Sequence, residues 1–303
     1  MPNLGVDLKM PSTRSLVAAL GLLGAAAGGT LAYSLFVEPR LFSLRRLTLR
    51  LPRLPAALDG LTLLHVSDIH LHLGEREKID MLRRLRQVDA DLVLLTGDFT
   101  DFDEDIELCV ASLLGLRGRY GTYAVLGNHD MRIYEGSRWR IWREDKQKHR
   151  VRAGLTHLAK RLRDTGIDLL RNESRRLLIN GQELWIAGVD DPHHSRDDLP
   201  RALQGVSDAS PIILLAHSPE MLARLNGYRP DLILSGHTHG GQVVLPIVGA
   251  LVTRCSIPLE KPSGVFSRDG SVVHISPGLG GSIRMRFNRP PEAHLLTLIA
   301  GRL

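Results

Sequence analysis

Seven side chains able to hold a divalent cation stand just past apolar runs of this chain. Asp68 and His70 follow Leu61–Val66, Asp98 follows Asp91–Leu95, and Asn128 follows Thr122–Leu126. His217 follows Pro211–Leu215, and His237 and His239 follow Asp231–Leu234. Two divalent ions about 3.5–4 Å apart can share a bridging carboxylate and a bridging hydroxide. Such a pair needs hard oxygens and imidazoles on rigid supports, with positions left open for water. Asp68 and His70, two apart, can converge on one ion where a strand end turns. Asp98 follows Gly97, whose small bulk lets a carboxylate sit between ions. Asn128 gives a neutral amide oxygen, and the three histidines complete two shells. The chemistry indicated is metal-dependent hydrolysis.

Taken singly, a His or Asp near a strand end reads as a satisfied polar residue. The ordered recurrence of such residues past successive apolar strands is what carries the signal.

The elements that must deliver these residues read as alternating strand and helix. Leu61–Val66, Leu92–Leu95 and Tyr123–Leu126 have strand character, the second being the fully apolar, buried type. Arg76–Val88 places Ile79, Leu82, Leu85 and Val88 at helical spacing, and Asp105–Leu116 does the same with Ile106, Val110, Leu113 and Leu114. Leu155–Arg163 is a further helix. Leu184–Val189, Ile212–Leu215 and Leu232–Leu234 are strands. Past Gln242 the β-like runs are Val243–Leu245, Val272–Ile275 and His294–Leu298. Strand–helix repeats giving way to β-rich sequence predict a layered α/β sandwich with a mixed second sheet.

At 303 residues, 43% hydrophobic and 24% charged, the chain can bury a full core. Its two cysteines, Cys109 and Cys255, form no disulfide framework. Aromatic residues are 5% of the chain, which argues against a base-stacking surface. Much of the +6 net charge lies in one basic insertion, residues 132–152, where eight Arg or Lys face three acidic residues. It carries Trp139 and Trp142 with Arg138, Arg140 and Arg143 around them. The segment reads as a cap gripping a phosphate-bearing substrate, as an interfacial element, or as a solvated loop. Arg132 starts it immediately after the Asn128 motif and is a candidate substrate contact. Arg284 and Arg286 are two more, beside the Gly278–Gly281 run. His193 and His194 read as ordinary loop residues.

Ser15–Val37 holds no charged residue across 23 positions, and about 20 suffice to cross a bilayer. A retained single-pass anchor within residues 1–40 is the favoured reading. A signal peptide cut near Ala25-Ala26-Ala27 is its rival. The arginines that follow favour a cytoplasmic domain by the positive-inside rule, against export. Residues 41–60 form a basic linker or edge strand, its Leu41–Leu54 stretch lying along anionic headgroups or in a sheet.

The order Asp68-x-His70, Gly97-Asp98, Gly127-Asn128-His129-Asp130, His217, Gly236-His237-x-His239 resembles the calcineurin-like metallophosphoesterase superfamily. The likeness runs from about Leu61 to the carboxyl terminus, making 61–303 the metallophosphoesterase domain. The amino-terminal segment, with Ser276–Gly280 and Arg286–Glu292, is similar to a membrane-anchored bacterial branch. Members of that branch include exported phosphodiesterase-like proteins and hydrolases of nucleotide-linked lipid precursors.

The resemblance implies a four-layer αββα sandwich of two mixed β-sheets flanked by helices, with an N-terminal transmembrane helix. It implies Asp68, His70 and His239 on one ion, Asn128, His217 and His237 on the other, and Asp98 between them. The ions would be manganese, iron or zinc. His129 would sit beside them as the catalytic group that stabilises the transferring phosphoryl or protonates the leaving oxygen, with Asp130 orienting its ring. The expected function is hydrolysis of phosphodiester or pyrophosphate bonds, in a lipid-linked substrate, by attack of the metal-bridging hydroxide. A metal-dependent nuclease and a catalytically silent, metal-stabilised scaffold are the alternatives. No nucleic-acid module is visible and no ligand is missing from the motif.

Overall fold

Every central strand of this chain alternates its side chains between two buried faces, and that alternation builds the layers. In the computed structural model, which describes residues 13–132, 151–207, 209–259 and 261–301, β2 (Thr62–Val66) and β3 (Leu92–Thr96) lie side by side and parallel. Leu63, Leu92 and Leu94 point into one apolar core, while Leu64, Val93 and Leu95 point into another. The first sheet is completed by β1 (Ser43–Leu51), β4 (Thr122–Val125), β5 (Asp168–Leu169) and β14 (Glu292–Ala300), in the order β1-β14-β2-β3-β4-β5.

The second sheet contains β6 (Glu173–Ile179), β7 (Gln182–Gly188), β8 (Ile212–Leu215), β9 (Leu232–Ser235), β12 (Gly264–Arg268) and β13 (Ser271–Ile275), in the order β12-β13-β9-β8-β7-β6. It obeys the same rule. Ile213, Leu215, Leu232 and Leu234 face the first sheet, and Ile212, Leu214 and Ile233 face outward. The outward faces are covered by helices: α2 (Arg76–Leu85), α3 (Ile106–Leu113) and α4 (Val151–Asp164) on the first sheet, and the short α5 (Leu199–Ala202) with a 3-10 turn at Pro219–Ala223 on the second. The result is the four-layer αββα sandwich of two mixed sheets. A separate small hairpin, β10 (Val244–Leu245) with β11 (Gly249–Ala250), follows the last metal-type motif.

Ser43–Leu51 is an edge strand, paired parallel to β14 along all nine of its residues. Its Leu49 and Leu51 enter the inter-sheet core while Arg45, Arg46 and Arg50 stay exposed. The alternation of Leu with Arg is thus that of a strand with one buried face. Residues 133–150, including both tryptophans of the basic insertion, lie outside the described residues.

The helix α1 (Thr13–Ala32) continues as a wider turn through Val37 and a 3-10 turn, Glu38–Arg40. Among its described side chains, the large apolar ones are unpacked, with Leu22 73% and Leu23 66% exposed. The span Ala19–Arg40 is long and apolar enough to cross a membrane. Its end, by contrast, is fixed to the domain. Arg286 N donates to Ser34 O at 2.9 Å, and the buried Glu38 carboxylate accepts from Asn288 N and Arg289 N.

Candidate metal centre

The parallel strands β2, β3, β4, β8 and β9 all end at one rim, and the chain turns sharply after each. Asp68, His70, Asp98, His237 and His239 hold left-handed backbone angles, φ 49°, 42°, 54°, 68° and 50°. Such angles are uncommon for residues other than glycine and gather where surrounding structure enforces them. Here the enforcement is visible. Asp68 N donates to Gly97 O at 3.0 Å and His70 N to Asp98 O at 2.9 Å, lacing the two loops together. Glycine is needed where the loops cross, because a Cβ on Gly127 would strike the Asp98 carboxylate and one on Gly97 would strike the Gly127 backbone.

Seven donors meet in this rim. Asp98 Oδ2 lies 3.3 Å from His70 Nε2 and 3.2 Å from His217 Nε2. On one side of it, Asp68, His70 and His239 bring their ligand atoms within 4.8 Å of one another. On the other, Asn128 Oδ1 is 3.0 Å from His217 Nε2 and 2.8 Å from His237 Nδ1.

Three of the four imidazoles are held by the other nitrogen. His217 Nδ1 donates to Thr96 O at 2.6 Å, His237 Nε2 to Arg254 O at 3.0 Å, and His70 Nδ1 faces Asp101 Oδ1 at 3.1 Å. A ring whose N–H is committed to a carbonyl or carboxylate presents a lone pair from its second nitrogen. The lone pairs so presented all face the rim. His70 Nε2 and His239 Nδ1 are buried there without a hydrogen-bond partner. Buried, unpartnered nitrogen atoms among carboxylates are costly unless something positive sits between them. The residues fit a divalent metal site on that ground.

Without cations, the buried carboxylates and imidazoles of the rim set one another's charge. Burial would raise the Asp98 carboxyl, but the positive charges of His217 and His129 hold it well below the usual carboxylate range. Asp68 moves the other way, raised by burial and by the Asp98 charge. Burial and the His217 charge push His237 down to about 4, and His239 falls for the same first reason, aided by His70. Carboxylate and neutral imidazole are the forms in which these groups bind cations. Metal binding would therefore release the protons that the neighbouring carboxylates, against burial, hold on His70, raised to about 10 by Asp101 and Asp98, and on His217, raised by Asp98.

Residues 61–241 match the family model of the calcineurin-like phosphoesterases. The chain belongs to that family. Calcineurin-like phosphoesterases use divalent metals, and the chain is a phosphoesterase hydrolase by membership. Among its relatives, the uncharacterized metallophosphoesterase YkuE of Bacillus subtilis is 28% identical over 302 residues, 96% of this chain and 98% of that protein. The UDP-2,3-diacylglucosamine pyrophosphatase LpxG of Chlamydia trachomatis is 28% identical over 327 residues, covering 93% and 96% of the two chains. The transmembrane protein with metallophosphoesterase domain of Bos taurus is 36% identical over 269 residues, 82% of this chain and 55% of that protein.

Within this phosphoesterase, three sequence expectations need correction. Asp130 does not reach the His129 ring. Its buried carboxylate accepts from Gly127 N, Asp98 N and Phe99 N at 2.8, 2.7 and 2.8 Å, tying the Asp98 loop to the Asn128 loop. Burial and the nearby Asp98 charge raise it to about 7. The partner of His129 is Asp101, whose Oδ1 stands 2.6 Å from Nδ1.

Arg286 is not open to substrate. It is 2% exposed and donates to the carbonyls of Pro277, Gly280 and Arg289, and burial lowers it to about 10. Arg284 turns away to Glu75 and Glu77, at 4.0 and 3.9 Å. Arg132 remains exposed at the start of the basic segment, its N–H bonded to His129 O.

Two carboxylates of the site escaped the sequence reading, Asp101 and Asp191. Asp191 is fully buried, anchors His194 Nδ1 at 2.6 Å, and its charge adds to the rise of His217 and offsets a small part of the fall of His237. The loop it holds brings the His193 ring 5.3 Å from that of His237. The run Asp190-Asp191-Pro192-His193-His194 was the available signal, because a carboxylate three residues from an imidazole can pair with it across a tight turn.

Proposed function

We propose that this chain is a membrane-anchored phosphoesterase with a dinuclear centre, cleaving phosphodiester or pyrophosphate bonds in a lipid-linked substrate. The observation that carries the reading is one carboxylate oxygen, Asp98 Oδ2, standing between an imidazole of each donor group. Asp68, His70 and His239 would hold one ion, Asn128, His217 and His237 the second, with Asp98 shared. Such ions, manganese, iron or zinc, supply a low-pKa water and neutralise charge on phosphate oxygens.

The rest is done by side chains. Asp101 takes His129 Nδ1, so His129 Nε2 faces the open side of the rim, 3.5 Å from Ser282 Oγ. From there it can donate a proton to the departing oxygen or a hydrogen bond to the phosphoryl group. Arg132 and the basic segment it opens would meet the remaining negative charge of the substrate. The lipid-linked substrate is supported by the likeness to LpxG along nearly the whole chain and by the anchor candidate α1. The cytoplasmic side is favoured by Arg40, Arg45, Arg46, Arg50 and Arg53 after the span.

The test is a turnover screen of purified, metal-analysed full-length protein. An aryl phosphodiester, a nucleotide diphosphate-linked acyl sugar and double-stranded DNA are offered with manganese. Turnover of the nucleotide-linked lipid at two bound metals per chain is expected. Preference for DNA would make it a nuclease, and no turnover at full metal occupancy a scaffold.

A further inference from the structure

The hairpin that follows the His239 motif exposes apolar side chains where a soluble turn would be polar. Ile247 at its tip is fully exposed with a left-handed backbone, φ 70°, and Val248, Leu251 and Val252 are 69%, 53% and 61% exposed. A β-branched residue held at positive φ with no packing partner gains nothing for the fold. The hairpin is also well fixed. Val244 N donates to Phe287 O at 2.9 Å, Phe287 N to Gln242 O at 2.9 Å, and Asn288 Nδ2 to Val244 O at 3.0 Å.

Those same residues hold the end of α1, through Arg286 N to Ser34 O and through Glu38 to Asn288 N and Arg289 N. One strip of chain, 286–289, therefore has the membrane-span candidate on one edge and the apolar hairpin on the other. The tip is three residues past Val244, on the order of 10 Å of chain. Exposed Arg254 lies two residues beyond Val252, and Arg40 is exposed at the end of the span. Apolar side chains rimmed by arginine suit the boundary between acyl chains and anionic headgroups.

We propose that the β10–β11 hairpin is a second membrane contact, inserting Ile247, Val248, Leu251 and Val252 into the bilayer that α1 spans. The contact fixes the tilt of the domain and holds the metal rim against the lipid surface. The rim is adjacent in the chain and in space. His239 lies five residues before Val244, and Arg254 O, just past the hairpin, holds His237 Nε2 at 3.0 Å. A substrate headgroup would then reach the metals without its acyl chains leaving the bilayer. The proposal rests on α1 as a membrane span and is independent of which phosphate bond is cleaved.

The test uses the full chain with Cys255→Ser, Cys109 being buried. Single cysteines are placed by Val248→Cys, Leu22→Cys in α1, or Leu178→Cys, whose native side chain is 67% exposed on β6 at the far edge of the second sheet. Each is labelled with bimane and reconstituted into phosphatidylcholine–phosphatidylglycerol vesicles containing nitroxide-labelled lipid. The expected result is at least twofold quenching at positions 248 and 22 and none at 178. Quenching at 22 alone, with 248 open to aqueous iodide, overturns the hairpin contact and leaves the anchor standing. A label at 248 shielded from both iodide and nitroxide points to a protein partner or second copy and overturns it equally. No quenching at either position removes the anchor and the proposal together.

Discussion

Asp101 Oδ1 stands 2.6 Å from His129 Nδ1 and 3.1 Å from His70 Nδ1, so one carboxylate orients both a candidate proton donor and a candidate metal ligand. His72 Nε2 is a third neighbour at 3.0 Å. Asp101→Asn should therefore do two separable things. Metal affinity should fall roughly 10–100-fold, as for loss of a partner behind a ligating imidazole. At saturating metal, kcat should still fall by about 10² or more because His129 is no longer held in its working tautomer. His129→Ala should lower kcat about 10²–10⁴-fold at unchanged metal content. Metal analysis and turnover on the same samples check both, and a metal-depleted His129 variant would contradict its place beside the ions.

Asp98→Ala should abolish metal uptake and activity together, since its oxygen serves both donor groups. Retention of one tightly bound ion per chain with residual activity would mean that Asp98 is terminal rather than shared.

Asp130→Ala tests a different role. The three backbone N–H groups its carboxylate accepts would be left buried and unpaired, which costs roughly 3 kcal/mol or more of stability. Chemical denaturation should show the loss in the metal-free protein, where a purely catalytic residue would change nothing.

Arg286→Met should likewise act on folding. Its guanidinium satisfies several buried carbonyls around Pro277–Gly280, and removing it should cost about 2–4 kcal/mol with KM unchanged within twofold. A higher KM at unaltered stability would return Arg286 to the substrate.

His65 gives the pH dependence. Burial, then the charge of His294, lowers it from 6.5 to about 3, and its ring bonds His274 Nδ1 at 2.9 Å and Thr96 Oγ1 at 2.8 Å. The folded state keeps it neutral while the unfolded chain takes up a proton below pH 6.5, so its contribution is present at neutral pH and is lost as pH falls toward 3. Between pH 6.5 and 5 this one group should remove about 2 kcal/mol. Metal-free wild type should lose that much more than His65→Phe over the interval in urea titrations. Equal slopes would place the proton elsewhere.

Why the ligands were legible and their supports were not has a physical reason. Asp68, Asp98, Asn128 and His217 each follow an apolar strand directly, so their position in the sheet is encoded by the run before them. Asp101 sits in the run Asp98–Asp105, among other acids, where nothing marks which carboxylate turns inward. Asp130 is next to His129 in sequence, yet in this turn its carboxylate goes to the N–H groups of Gly127, Asp98 and Phe99. Strands β6 and β12 lack a clean two-residue alternation, and neither Glu173–Ile179 nor Gly264–Arg268 was foreseen. Arg286 shows the same limit for side-chain direction, since a basic residue beside glycines suits a phosphate or a ring of carbonyls equally well.

Glu38 accepts the N–H groups of Asn288 and Arg289 from within the stretch that a biochemist would first remove. A trimmed enzyme starting at Leu41 would lose both acceptors, and Ser34 O as well. Its edge beside the metal rim would be loosened. Kinetics from such a preparation would describe a damaged catalyst, so detergent-solubilised protein retaining residues 34–40 is the form worth assaying.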